Sequence, residues 1–231
     1  MRHADCPRDP SKQAEIPLVS RGKGGNADTT VTAIVLAAGA GTRFSDVGHK
    51  LTALLPRTAS RPAEPVARRA IAAAVEAHVG PVIVVTGRLV PSDLDLHDNS
   101  DGNGLETAHN PDWALGQMTS VRVGLDIADR NGSTVAVVGL ADQPGIEPSA
   151  WRSVVDAVAA NSSPITVATY EGRRGNPVAL HRSVWNLLPT GGDEGARSLM
   201  RLHPELVSEV PCSGSPTDID TAEDLRRWQN S

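Results

Sequence analysis

Residues 30–38 read TVTAIVLAA, a run so apolar and β-branched that it predicts a strand buried on both faces. Similar runs recur at PVIVVTG (81–87), TVAVVGL (134–140) and PITVATY (164–170). EGRRG (171–175) reads as a turn into NPVALH (176–181), a candidate hairpin, and ELVSEV (205–210) reads as a further strand. Between these runs the apolar period changes to that of a helix. Val66, Ala70, Ile71, Ala74 and Val75 form one stripe of 65–78, and Val121, Leu125 and Ala128 one side of 117–131. Residues 148–161 predict a third helix, and 182–188 and 194–202 two short ones. DIDTAEDLRRWQ (218–229) reads as a strand end running into a last helix.

This alternation predicts a single three-layer α/β domain over residues 30–231, its sheet mostly parallel and Rossmann-like, with helices on both faces. Residues 1–29 are rich in Pro, Gly and charge, and a flexible leader is expected there. Open sheets of this kind bind ligands at the carboxyl ends of their strands. The unusual residues fall at those ends: Gly39–Lys50 after the first strand, Asp142 after TVAVVGL, and Asp218 and Asp220 before the last helix.

Composition narrows the partners. The 231 residues carry 22 Lys and Arg against 27 Asp and Glu, a net charge of -5, which argues against nucleic acid or an anionic membrane surface as a general partner. Cys6 and Cys212 lie far apart, so neither a structural disulfide nor a cysteine-built zinc site is expected. No stretch approaches the run of about 20 apolar residues that a membrane span needs. Nor does the N-terminus show a signal-peptide core, and the expected location is the cytoplasm.

The segment VLAAGAGTRFSDVGHKL (35–51) carries the chemistry. Ala37, Ala38, Gly39, Ala40 and Gly41 keep side chains away from the turn, so backbone N–H groups can approach phosphates closely. Arg43 offers a guanidinium fork and Lys50 a point charge. The dinucleotide fingerprint does not fit, because Phe44 stands where its third glycine belongs and no acidic residue follows a second strand where the ribose contact should be, and the P-loop's Gly-Lys-Ser/Thr is missing. Two readings stay open on the residues alone: a phosphate cradle, or an ordinary Gly-rich turn with two solvated cations.

Other blocks tip the balance. LAAGAGTRF…K, HNPDWALGQMTSVRVGL (109–125), GLADQPGI (139–146), GNPVALH (175–181), GGDEGARSLM (191–200) and DIDTAEDL (218–225) follow in order. Together they resemble the nucleotidyltransferases that join an NTP to a phosphorylated acceptor, and among these the molybdenum cofactor cytidylyltransferase branch, over about residues 31–228. The resemblance implies the nucleotide-diphospho-sugar transferase type of fold and transfer of CMP from CTP to a molybdopterin-type cofactor, with Mg²⁺ and release of pyrophosphate. It implies that Leu36, Ala37, Ala38, Gly39, Gly41, Asn110, Gly116 and Ser120 hold the nucleotide, and that Asn176, Asp193 and Arg197 hold the acceptor. A recipient molybdoenzyme is a further implied partner.

The chemistry asks for such residues. Attack of an acceptor phosphate on the α-phosphorus brings two anions together, so charge must be neutralised and the partners aligned. Arg43 and Lys50 are the expected catalytic cations. Asp142, directly after a buried strand, is the first candidate metal ligand, the alternative being an Asx-turn at a strand end. Asp218 and Asp220 flank Ile219 and are either further ligands or, with Thr221, caps of the last helix. Trp113 either stacks on a flat ligand or packs.

Two departures from the branch bear on the acceptor. The glycine expected soon after the arginine is displaced to Gly48, and Asn176 stands where the branch has histidine. Three functions are therefore carried forward. They are the cytidylyltransferase, a transferase of the same fold using GTP or another phosphorylated acceptor, and a non-catalytic chaperone of the cofactor.

Overall fold

The computed structural model describes residues 29–58, 61–96, 104–160 and 163–229; apart from Thr29, the expected leader lies outside the described residues. In chain order the first elements are β1 (Val31–Ala37), β2 (Leu54–Leu55), β3 (Glu64–Pro65), α1 (Val66–Glu76), β4 (Val82–Thr86) and β5 (Leu105–His109). There follow α2 (Gln117–Arg130), β6 (Val135–Leu140), α3 (Pro148–Ala160), β7 (Ile165–Tyr170), β8 (Arg173–His181), α4 (Arg197–Leu202), β9 (Val207–Pro211) and α5 (Ala222–Gln229).

Seven strands form one sheet in the order β5-β4-β1-β6-β8-β7-β9. β8 runs against both its neighbours, and every other pairing in this sheet is parallel. The mostly parallel sheet expected from the sequence is therefore the one observed. All seven residues of β1 are buried, as befits a central strand. Its alternate side chains divide the core in two. Ala33, Val35 and Ala37 pack with Ile71 and Ala74 of α1 and with Trp151 and Val154 of α3. Ile34 and Leu36 pack on the other side with Met118, Val121 and Leu125 of α2 and with Trp185 and Leu199. Both helix stripes read from the sequence face the sheet, which makes the three layers.

A third, smaller cluster positions the chemistry. Phe44, Leu55, Val66 and Ile219 are buried together, with Ala222, Leu225 and Trp228 against them. Phe44 adjoins Arg43 and Ile219 adjoins Asp220, so this cluster ties the turn after β1 to the segment before α5. The aromatic ring that departs from a dinucleotide fingerprint is thus an anchor. Phe44→Ala is expected to lower the unfolding free energy by about 3–5 kcal/mol. Urea unfolding measures this, and a loss within experimental error would mean that the cluster is dispensable.

Some boundaries differ from expectation. β5 was not anticipated: LETAH is only partly buried and carries no apolar run, and its strand form comes from pairing with β4 at the sheet edge. EGRRG is mostly strand, because the turn is confined to Glu171 and Gly172, both at positive φ, and β8 begins at Arg173. Among the described residues no helix is long and apolar enough to cross a membrane.

Candidate functional site

Two adjoining cavities open at the carboxyl ends of β1 and β6, and Gln117 lines both. The first, of about 430 Å³, is bounded by Leu36, Ala37, Ala38, Gly39 and Gly41, by Arg43 and Lys50, and by Trp113, Gly116 and Ser120. Asp142, Asp193 and Asp220 complete its wall. The second, of about 630 Å³, is lined by Asn176, Arg197 and Asp218 among others.

Lys50 is the centre of the first cavity. Its Nζ donates to Asp142 Oδ2 and to Asp220 Oδ1, both at 2.6 Å, and its side chain is only 13% exposed. Arg43 Nη1 reaches Asp220 Oδ2 at 2.9 Å but is 74% exposed, so its charge faces the cavity mouth. Burial alone would lower the Lys50 pKa, yet Asp142 and Asp220 outweigh it and hold the ammonium above its ordinary value. That stabilisation is fully present below the unfolded lysine pKa of about 10.4 and is lost as pH rises through the higher folded value.

Capping decides what Asp220 is free to do. Thr221 Oγ1 accepts from the Asp224 N–H at 3.1 Å, while Asp224 Oδ2 accepts from the Thr221 N–H at 2.9 Å. This reciprocal box caps α5, leaving the Asp220 carboxylate to the cations. Ile219 between them is buried, and Asp218 and Asp220 line different cavities. The Ile219 N–H donates to the Asp142 carbonyl at 2.9 Å, locking the end of β6 to this segment.

Gln143 ties together the wall of the second cavity and was not singled out from the sequence, since it carries no charge. Its Nε2 donates to Asp218 Oδ1 at 2.7 Å and to the Pro216 carbonyl at 3.0 Å, and its Oε1 accepts from Asn176 Nδ2 at 2.9 Å. The Tyr170 hydroxyl donates to the Asn176 carbonyl at 2.8 Å, and burial pushes its pKa well up. Burial also raises the Asp218 carboxyl, with repulsion from Asp142 and Asp220 in the same direction and the Gln143 bond opposing.

Other expected residues stand elsewhere. Asn110 is buried, its Nδ2 spent on Thr119 Oγ1 and Ser120 Oγ and its Oδ1 on the Asp112 N–H; it braces the segment and lines neither cavity. Asp193, expected on the acceptor, lines the first cavity and accepts from the Gln117 N–H at 3.1 Å at the start of α2. It forms no pair with Arg197. Arg174 and Arg201 of the second cavity are paired with Glu209 and Glu194, whereas Arg173 and Arg197 make no ion pair among the described residues. Trp113 lines the first cavity and also packs: a Cβ on Gly87 would lie 2.6 Å from its own Cβ.

Gly116 has φ of 113°, and a Cβ there would meet the Gly192 carbonyl carbon at 2.6 Å. The Met118 N–H donates to the Gly192 carbonyl at 2.9 Å, so GGDEGAR docks on the start of α2. Gly116→Ala is expected to cost about 1–3 kcal/mol through strain and backbone collision. An unchanged urea midpoint would contradict it.

The comparisons with known proteins bear on the family and the fold. The sequence model of the MobA-like NTP transferase domain matches residues 33–209. Nicotine blue oxidoreductase from Paenarthrobacter nicotinovorans is 28% identical over 208 residues, covering 85% of this chain and 95% of that protein. The crystal structure of Rv0371c from Mycobacterium tuberculosis H37Rv is 27% identical, with a TM-score of 0.70 over 88% of this chain and 98% of its own. Its complex with manganese gives 26% identity and a TM-score of 0.66, over 88% and 100%. A nucleotidyl transferase from Methanothermobacter thermautotroptrophicus shares the fold at 21% identity and a TM-score of 0.67, over 89% and 97%. A family match over most of the chain, on a sheet that gathers cations and carboxylates at its carboxyl edge, places this protein in the MobA-like NTP transferase family, as a nucleotidyltransferase.

Proposed function

We propose that the protein transfers CMP from CTP to a molybdopterin-type molybdenum cofactor in the cytoplasm, with Mg²⁺ as the metal and a molybdoenzyme as the eventual recipient. The observation that carries the reading is Lys50 held between Asp142 and Asp220 beneath a turn of small residues. The branch-like blocks around Trp113, GDEGAR and DIDTAEDL support the choice of acceptor.

The donor set suits a divalent cation. Asp142 Oδ1 is buried without a hydrogen-bond partner, and Asp220 lies across Lys50 from it. Among the described residues no three potential ligands form a closed cage. Two carboxylates with substrate phosphates making up the rest is the usual arrangement for Mg²⁺. Asp142 and Asp220 would hold the ion, with Asp218 adjoining from the second cavity. When bound, such an ion neutralises phosphate oxygens and helps to align the donor.

In this mechanism the turn from Ala37 to Gly41 receives the triphosphate on backbone N–H groups. Arg43 and Lys50 steady the charge that gathers on the leaving pyrophosphate. Asn176 and Arg197 hold the acceptor in the second cavity, so that its phosphate oxygen faces the α-phosphorus. The new P–O bond forms as the bond to pyrophosphate breaks. No side chain need act as nucleophile.

Calorimetric titration with CTP, GTP, ATP and UTP, with and without Mg²⁺, tests the donor. A Mg²⁺-dependent preference for CTP is expected, followed by pyrophosphate release when the molybdopterin-type cofactor is added. Preference for GTP, or release with another phosphorylated acceptor, would replace the substrate. Binding of cofactor without turnover would favour a chaperone. The Paenarthrobacter relative, nicotine blue oxidoreductase, favours one further reading, in which the paired cavities serve an oxidoreduction; turnover of a redox substrate with no binding of any of the four triphosphates would select it.

A further inference from the structure

His49 immediately precedes Lys50, and both of its ring nitrogens are engaged. Nδ1 accepts from the Leu51 N–H at 3.2 Å, and Nε2 lies 3.1 Å from the Gly39 carbonyl, ten residues back in the chain. Its own carbonyl accepts from the Thr52 N–H at 3.0 Å and from Thr52 Oγ1 at 2.9 Å. The ring also fills the space under the turn: a Cβ on Gly41, whose φ is 62°, would stand 2.8 Å from Nε2 and 3.0 Å from Cδ2. One side chain therefore joins the beginning of the small-residue turn to the segment that carries Lys50.

We propose that His49 is a positioning residue for the nucleotide, its neutral imidazole clasping the phosphate-receiving turn to the lysine segment. The inference rests on reading the first cavity as a nucleotide site. Only one ring form makes both bonds: Nδ1 must be bare to accept from Leu51, so the proton sits on Nε2 and is donated to the Gly39 carbonyl. Protonation places an N–H on Nδ1 against the Leu51 N–H and breaks that local bond, while Nε2 keeps its donation to the Gly39 carbonyl, now from a charged ring. The charged groups acting on the ring are cations, Lys50 beside it in the chain and Arg88 beyond β4. Burial lowers the ring's pKa; the carbonyls of Gly39 and Ala40 offset part of this, and the two cations lower it further. The ring is therefore neutral at neutral pH and gains its charge only as pH falls through a value below the ordinary 6.5.

The test is calorimetry with CTP and Mg²⁺ on the wild type, His49→Asn and His49→Phe. Asparagine is long enough to accept from the Leu51 N–H two residues on, but it does not reach Gly39. Phenylalanine fills the space under Gly41 and makes neither bond. Both variants are expected to bind CTP about tenfold more weakly at pH 8, the worth of a hydrogen bond or two. The wild-type advantage over His49→Asn is then expected to grow as pH falls through the ring's pKa, because the charged ring keeps the Gly39 bond and adds a positive charge beside the phosphate-receiving turn. The nucleotide's own phosphate titration is common to both proteins, so this ratio isolates the ring, and a merely structural role would leave it constant. Should His49→Phe fail to fold, the ratio between wild type and His49→Asn still decides. Equal affinity of His49→Asn and wild type at pH 8, or a ratio that does not change with pH, overturns the proposal. Wild type binding none of CTP, GTP, ATP and UTP overturns the nucleotide reading itself, and the clasp with it.

Discussion

Asp142→Asn is expected to abolish measurable divalent-metal binding and to lower nucleotidyl transfer by about 10²–10³-fold, the usual cost of removing one electrostatic element from a site of this kind. The buried, unpartnered Oδ1 offers a lone pair to a cation, and in asparagine the side chain loses its charge whichever way the amide turns. The fold should survive. The bond that fixes this corner runs from the Ile219 N–H to the backbone carbonyl of residue 142, which the substitution keeps, and Lys50 retains Asp220 as a partner. The melting temperature should therefore fall by only a few degrees while Mn²⁺ binding, followed by electron paramagnetic resonance in the presence of CTP, is lost. Retention of Mn²⁺ binding with wild-type affinity would move the metal away from Asp142.

Why some of this was legible in the sequence and some not follows from the kind of interaction involved. β1, β4, β6 and β7 were readable because burial on both faces demands unbroken apolar runs, and α1 and α2 because one face alone is buried. Arg43, Lys50, Asp142 and Asp220 stood out as charged residues at strand ends, where a core-facing role is excluded. β5 had no such mark, since an edge strand needs backbone pairing more than side-chain burial. Gln143 and His49 were overlooked for a related reason: their importance lies in hydrogen bonds to residues distant in sequence, Asn176 and Asp218 for one, Gly39 for the other. Asn110 lies outside both cavities, because a polar residue in a suggestive block can spend its bonds on its own neighbours. Whether Asp220 or Thr221 caps α5 depended on side-chain bonds that the pattern of residues does not fix, and it is Thr221 with Asp224 that makes them.

Lys50→Met separates two roles that Asp142→Asn loses together. Methionine keeps most of the buried stem and removes the ammonium that sits 2.6 Å from each carboxylate. Transfer should fall by about 10²–10³-fold, because in the proposed mechanism charge developing on the leaving pyrophosphate loses a buried cation. Affinity for Mn²⁺ in the absence of nucleotide should instead rise, because in the wild type a cation must displace Lys50 from the carboxylates that it engages. Stability should drop by about 1–3 kcal/mol, less than for a fully enclosed pair, since Asp220 is 24% exposed and keeps Arg43. Added Mn²⁺ should recover part of that loss by binding the native state alone. Thermal melts with and without Mn²⁺, alongside the metal titration, read all three effects on one preparation. Weaker metal binding in Lys50→Met than in the wild type would mean that the lysine orders the carboxylates for the ion. Competition between them, the basis of this expectation, would then be wrong.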